Sequence, residues 1–324
     1  MKTWIDFDGA PVFGIPLTDA LGGVRVFEGM LIEGPQGWGE FSPPAGCTDR
    51  QAARWLTAAI EVGTVGWPDP VRGRVPVAVT VPAVGPARAR QIVAEAGCNA
   101  AAVRVAERLD SLAEDIARLE AVRDALGPSG VIRCDANGNW DIETAVAAIA
   151  TLDRAAGGLE FVEQPCRTLD EVSAVRCRVD VPIAVDQSIR DAPDPLALPL
   201  RDAADIAVLT VGALGGVRRA LRVADGCGLP CTVAADVQTS IGFAGGLALA
   251  GVLDHDFTSA LAGVRLLSGD VVSAGRSLIP VDGYLPVAPM PAAPEPGRLQ
   301  RFAAPDAGTV ARWRDRLKGA QAYL

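Results

Sequence analysis

The chain has 324 residues, 49% of them hydrophobic and 21% charged, with a formal net charge of −9. That length and apolar content suit two domains, or one large α/β domain with additions, and they exclude wholesale disorder. The acidity excludes a general affinity for phosphate backbones, although not an anionic small molecule, since a bound cation reverses the local field.

The start, "MKTWIDFDGAPVFG", lacks the basic-then-apolar order of a signal peptide. Residues 10–23 and 43–48 read as loops. Between them "VRVFEGMLIEGPQGWGEFSPP" (24–44) reads as strand, turn, strand and a Pro-rich loop, and "DRQAARWLTAAIEV" (49–62) as an amphipathic helix. Residues 1–75 are therefore expected to form an α+β cap. From residue 76 a different rhythm begins, with a β-rich run about every 25 residues. The runs are "VPVAVTVPA" (75–83), "AAVRVA" (101–106), "GVIRCD" (130–135), "LEFVE" (159–163) and "VPIAVD" (181–186), then "DIAVLTV" (205–211), "LPCTVAA" (229–235) and "FTSALAG" (257–263). Segments of helical period separate them, such as "LDSLAEDIARLEAVRDAL" (109–126). Such alternation means crossover connections and a parallel sheet, and eight strands favour a closed barrel. The expected fold is α/β, a closed (β/α) barrel over 76–270. A Pro- and Gly-rich segment, 271–324, returns to the cap.

"IGFAGGLALAGVL" (241–253) is too short to span a bilayer and reads as a buried helix. Seven cysteines without CxxC pairs point to reduced thiols in the cytoplasm, and Cys227, Cys231 and the single His255 make a poor zinc site. His255 precedes the eighth strand and is expected on the face away from the mouth. Trp4, Trp38, Trp55 and Trp67 read as core or interface residues. No nucleic-acid motif is present, and nothing in the sequence sets an oligomeric state.

Three strands end in a carboxylate: Asp135 in "IRCDANGNW", Glu163 in "EFVEQP" and Asp186 in "IAVDQS". The C-terminal strand ends of a (β/α) barrel share one mouth, and these acids stand one β/α unit apart. Three oxygen donors from neighbouring strands suit a hard octahedral cation, Mg²⁺. The plainer reading is that each acid ends a strand or caps the next helix.

The segments "EGMLIEG", "GWGEFSP", "AARWL", "GWPDPVRGRVPV", "TVPAVGP", "RVAE", "DANGNWD", "EQPC", "ADIAVL", "LGGVRRAL" and "TSIG" resemble the enolase superfamily, in its actinobacterial o-succinylbenzoate synthase branch. The resemblance covers nearly the whole chain. It implies an α+β cap on a modified (β/α)7β barrel, with Mg²⁺ held by Asp135, Glu163 and Asp186, acting on a small carboxylate substrate. The family reaction dehydrates a cyclohexadiene carboxylate to o-succinylbenzoate, in menaquinone synthesis. It passes through an enediolate, whose charge a divalent cation stabilises.

The resemblance also implies two lysines flanking the substrate, one the second of a KxK pair and one ending the sixth strand. Here Ala102 and Arg104 occupy the pair, and Thr210 the other position. A guanidinium titrates above pH 12, so under about one in 10⁵ is neutral at pH 7, and Arg104 is a poor base. It suits either substrate-anion binding or pairing with a metal-site carboxylate. Asp236, in "CTVAADVQTSIG", is either a replacement acid/base or the cap of the following helix. Thr210, Gly212 of the Gly-rich "GALGG", and Ser240 are the expected substrate contacts. Two functions stay open: a Mg²⁺-dependent lyase or isomerase with altered acid/base groups, and a pseudoenzyme that keeps the fold for binding or regulation.

Overall fold

The structure is a computed structural model, described here for residues 5–324 apart from Gly22, Leu109, Asp236, His255, Asp256 and Pro289. Its first layer is an antiparallel meander of β1 (Val12–Leu21), β2 (Val24–Gly34) and β3 (Gly37–Phe41). The segment expected as a loop at 10–23 is thus mostly strand. Val12 to Pro16 pair in register with Met30 to Val26 and bury Phe13 and Ile15 completely, an apolar alternation that the turn-rich "PLTDALGG" after it obscures.

Helix α1 (Asp49–Thr64) starts at Thr48, whose hydroxyl accepts from the Gln51 N–H while the Gln51 side chain accepts from the Thr48 N–H. This reciprocal pair satisfies two donors that the first turn leaves open. Its apolar stripe of Ala52, Trp55, Leu56 and Ala59 packs on the meander. The approach is backbone to backbone: a Cβ on Gly39 would lie 2.2 Å from the Ala59 carbonyl oxygen, and one on Gly34 2.4 Å from that of Gly63. A side chain at either position would lift the helix off the sheet.

The run at 75–83 divides. β4 (Arg74–Pro76) pairs with a late strand outside the barrel, and β5 (Val79–Val81) opens the parallel sheet. The hand-over falls at Pro76, which has no N–H to offer a ladder. The chain then alternates as α2 (Pro86–Ala96), β6 (Ala100–Arg104), α3 (Leu112–Leu126), β7 (Val131–Asp135), α4 (Ile142–Ala156), β8 (Val162–Glu163), α5 (Leu169–Arg176) and β9 (Ile183–Val185). It continues through α6 (Gln187–Asp191), α7 (Leu200–Ala203), β10 (Ile206–Leu209), α8 (Val211–Leu214), α9 (Val217–Cys227), β11 (Cys231–Val233) and α10 (Ser240–Val252). Strands β5 to β11 lie side by side in chain order, all parallel.

Closure comes from the expected eighth strand, reduced to two bridging residues. Ser259 bridges Val77 and Ala260 bridges Ala234, both in the parallel sense. The chain then passes through two short 3₁₀ turns to β12 (Tyr284–Pro286), the partner of β4, and on to α11 (Pro296–Arg301) and α12 (Ala307–Gln321). Helix α12 packs on α1, with Trp313 edge-on to Phe41 and its indole N–H donated to Glu28 at 3.0 Å. Helix α10 is buried along nearly its whole length, and no described helix is long and apolar enough to cross a membrane.

Candidate active site

Residues two apart on a strand share a face, so Ala102 and Arg104 point into the barrel, as do Arg133 and Asp135. Register does the rest. Arg104 pairs with Asp135, and Asp135 with Glu163, as direct neighbours across β6, β7 and β8. Asp186 follows β9 by one residue and Thr210 follows β10 by one. Apart from Arg133, all of these line one cavity of about 60 Å³ with Thr80, Asn137 and Arg190. That space holds an ion and a few waters but not the body of a substrate. Two larger recesses adjoin it. One, about 300 Å³, shares Arg190 and is bordered by Pro44, Gly46 and Cys47; the other, about 320 Å³, shares Thr80 and Leu266 and is bordered by Thr18 and Asp19.

Each of three consecutive strand ends turns away through a left-handed residue, Ala106 (φ 59°), Asn137 (φ 52°) and Gln164 (φ 43°). Non-glycine residues pay of order 1–3 kcal/mol there, so the surroundings must hold them. Gln164 is fixed at both ends of its amide. It donates to Ser188 Oγ at 2.8 Å and the Cys166 carbonyl at 2.9 Å, and accepts the backbone N–H of Asp186 at 3.2 Å. It therefore positions Asp186. Ala106 is held by its N–H to Asp115 at 2.9 Å. Asp115 is buried, paired with Arg118 at 2.6 Å, and Arg118 in turn donates to the Arg104 carbonyl at 3.0 Å. Asp115→Ala strands that guanidinium and releases the end of β6. It is expected to lower the unfolding free energy by about 3–5 kcal/mol, read by urea denaturation.

The electrostatics of the mouth are crowded. Burial first, then the neighbouring Asp135 and Asp186, push the Glu163 carboxyl well above its ordinary value, against the weaker pull of Arg133 and Arg104. Arg133 lies fully buried beneath, stacked over Phe161 at 4.9 Å, and donates to Thr258. Two of the three carboxylates carry guanidiniums of their own. Arg104 meets Asp135 at 2.7 Å, and Arg190 meets Asp186 at 3.3 Å, where Thr210 also donates at 3.4 Å. Asp135 accepts the Asn137 N–H as well, at 2.9 Å. Among the described residues, no three His, Cys, Asp or Glu side chains close into a cluster that holds a metal.

Arg104, Thr210, Asp135, Glu163 and Asp186 are thus brought together. Gly212 and Ser240 are not among the cavity residues. Gly212 backs onto Trp55, where a Cβ would meet the indole at 2.3 Å. Ser240 gives its hydroxyl to Asp270 at 2.5 Å and accepts the Leu278 N–H at 2.7 Å. Asp236 and His255 lie outside the described residues, as does Trp4. Arg190, Gln164 and Asn137 are the residues that sequence reading passed over. Their positions one to four residues after each strand-end acid were the available signal.

One further group ties the cap to the mouth. Glu40 of β3 is buried and accepts the Thr239 N–H at 3.0 Å and hydroxyl at 2.5 Å, at the start of α10, and the Ser42 hydroxyl at 2.6 Å. Burial pushes its carboxyl up to about 7, from an ordinary 4.5. Between those values the folded state holds a proton that the unfolded state has lost. The contribution is therefore full below about pH 4.5 and is lost as the pH rises through about 7, by roughly 3 kcal/mol. Glu40→Gln is expected to flatten that fall in a pH series of thermal melts.

The enolase C-terminal domain-like family profile matches residues 86–293, and the enolase N-terminal domain-like profile matches residues 12–63. The o-succinylbenzoate synthase of Thermobifida fusca is 55% identical over 276 residues, covering 85% of this chain and 86% of that protein. The o-succinylbenzoate synthase of Mycolicibacterium smegmatis is 44% identical, covering 91% and 90%. Among solved structures, the L-Ala-D/L-Glu epimerase of Bacillus subtilis superposes with a TM-score of 0.75 at 22% identity, over 91% of this chain and 98% of that one. The muconate lactonizing enzyme of Pseudomonas fluorescens gives 0.76 at 20% identity, over 93% and 98%. With a capped barrel, carboxylates on three successive strand ends and these relatives, the chain belongs to the enolase superfamily, in its o-succinylbenzoate synthase family.

Proposed function

We propose that this protein is a Mg²⁺-dependent lyase or isomerase that enolises a small carboxylate, with acid/base groups other than the two lysines of the parent reaction. The observation that carries the reading is the row of Asp135, Glu163 and Asp186 on one cavity with Arg104 beside them. The donor chemistry suits the cation, with three hard oxygens from neighbouring strands, although in this structure Arg104 and Arg190 hold Asp135 and Asp186 and the three side chains do not close on one point; Glu163 is driven toward its neutral form by burial first and then by the other two. These three residues would hold Mg²⁺, which when bound stabilises the two negative oxygens of an enediolate.

Arg104 holds an anion rather than taking a proton. Its planar donors suit a substrate carboxylate or a developing oxyanion, and it stays charged throughout. Thr210 supplies one neutral hydrogen bond. The proton then needs another acceptor, and Asp236, four residues before Ser240 in the sequence, is our candidate. The cap segments near Thr18 and Asp19 and near Pro44 to Cys47 border the recesses that would select the rest of the substrate. On this reading the ordinary dehydration to o-succinylbenzoate is slow, and the working substrate is another carboxylate.

A second reading, a pseudoenzyme that keeps the fold for binding or regulation, draws on one observation. Arg104 and Arg190 already sit on Asp135 and Asp186, so the protein's own cations stand where a metal would compete. Asp236→Asn separates the two. The enzyme reading expects it to abolish metal-dependent α-proton exchange while Mg²⁺ affinity by calorimetry is unchanged; a variant indistinguishable from the parent in both supports the pseudoenzyme.

A further inference from the structure

The seven cysteines are all reduced in the structure, and two of them stand apart from the rest. Cys227 is the last residue of α9 and Cys231 the first of β11. Gly228, in the left-handed conformation (φ 65°), ends the helix and reverses the chain, and Leu229 and Pro230 lead directly into the strand. The reversal brings the two sulfurs to 3.6 Å at the barrel end away from the mouth. A disulfide needs about 2.05 Å, so the sulfurs must close by about 1.5 Å to bond.

The two thiols differ in a useful way. Cys227 is half-buried and so reachable from solvent, whereas Cys231 is 2% exposed. The hydrogen bond between the two sulfurs, with help from neighbouring backbone and Arg201, brings the Cys227 thiol down to about 6, while Cys231 is pushed up. The guanidinium of Arg201 packs directly over Gly228, leaving no room for a Cβ there. The other cysteines lack this arrangement. Burial pushes the thiols of Cys98, Cys134 and Cys166 up, Cys47 is raised despite its contact with Arg316, and Cys177 is exposed but has no thiol partner among the described contacts.

We infer that Cys227 and Cys231 form a peroxide-sensitive dithiol, a reversible oxidation site independent of the carboxylate chemistry at the mouth. The Cys227 thiolate attacks one oxygen of a hydroperoxide; an S–O bond forms, the O–O bond breaks, and the leaving oxygen departs as water or alcohol after taking a proton. Cys227 is then a sulfenic acid. The Cys231 sulfur attacks that sulfur as its proton is lost, the S–S bond forms, the S–O bond breaks and water leaves. One hydroperoxide is reduced and two thiols are oxidised. A small dithiol reverses the step by exchange, becoming the oxidised partner itself. The buried resolving thiol spares Cys227 from irreversible oxidation.

The test uses the full-length reduced protein, hydrogen peroxide at stoichiometric and tenfold levels, alkylation of the remaining thiols and peptide mass spectrometry. The tryptic segment after Arg222, ending at Arg265, contains both cysteines and no other. The expected result is that this segment becomes lighter by two hydrogens and refuses alkylation before Cys177 is touched, and that dithiothreitol restores both thiols. In Cys231→Ala a sulfenic-acid trap labels Cys227; Cys231→Ser serves if the alanine variant does not fold. Oxidation of Cys177 first, or Cys227 passing to the sulfinic acid in the wild type, would overturn the assignment. So would two freely alkylated thiols at tenfold peroxide.

Discussion

Arg104→Lys combined with Thr210→Lys is expected to raise o-succinylbenzoate formation by about 10²–10⁴, the span that a positioned general base contributes. Both positions face the carboxylates, Arg104 across 2.7 Å to Asp135 and Thr210 across 3.4 Å to Asp186, so a lysine at each would project into the same cavity. The carboxylates hold such lysines charged until a divalent cation offsets them; with it bound, the second ammonium and Arg190 lower the cost of the neutral amine that a base requires. An arginine resists that change at any plausible burial. Adding Ala102→Lys completes the pair on β6 and lowers the amine pKa further. The assay is the loss of the cyclohexadiene absorbance with product identified by chromatography. If the folded, magnesium-binding variant gains nothing, the missing lysines are not what separates this chain from the parent reaction.

Glu163→Gln is the second large effect. It removes one of three anionic donors and leaves shape and packing intact. We expect Mg²⁺ affinity to fall by about 10²-fold or more, beyond what outer-sphere changes cost, and any metal-dependent proton exchange to vanish with it. Thermal unfolding without magnesium should scarcely move, because a carboxyl already driven toward its neutral form is replaced by a neutral amide. Titration calorimetry and melts on the same preparation read both. An affinity unchanged by Glu163→Gln would place the cation elsewhere.

Much of the barrel was legible because its signal is periodic. Short apolar runs at regular spacing located the strands, and the acid ending three of them located the mouth before any geometry was known. The failures have physical causes. β1 hid because its buried alternation is only a few residues long before turn-forming residues take over. The run at 75–83 reads as one strand because nothing local announces that Pro76 hands the chain from one sheet to another. The eighth strand shrinks to Ser259 and Ala260, since closing a ring needs only a pair of bridges. At the site, the acids could be read from their strand-end positions. Arg190 is signalled only by its spacing of four from Asp186, which acquires meaning once Gln187–Asp191 is helical and sets the guanidinium on that carboxylate. Ser240 is an expected substrate contact, and in the structure Asp270 takes its hydroxyl from a segment thirty residues on.

The measurement that bears most directly on the account is deuterium exchange by NMR. The wild-type protein is incubated in D₂O with Mg²⁺ and a panel of carboxylates, including the o-succinylbenzoate precursor, beside an identical sample with the metal chelated. The account predicts washout at an α-carbon of at least one carboxylate, present with Mg²⁺ and absent without it. A folded protein that binds Mg²⁺ by calorimetry and exchanges no α-proton across the panel would contradict it, leaving Arg104 and Arg190 as structural partners of an idle set of carboxylates.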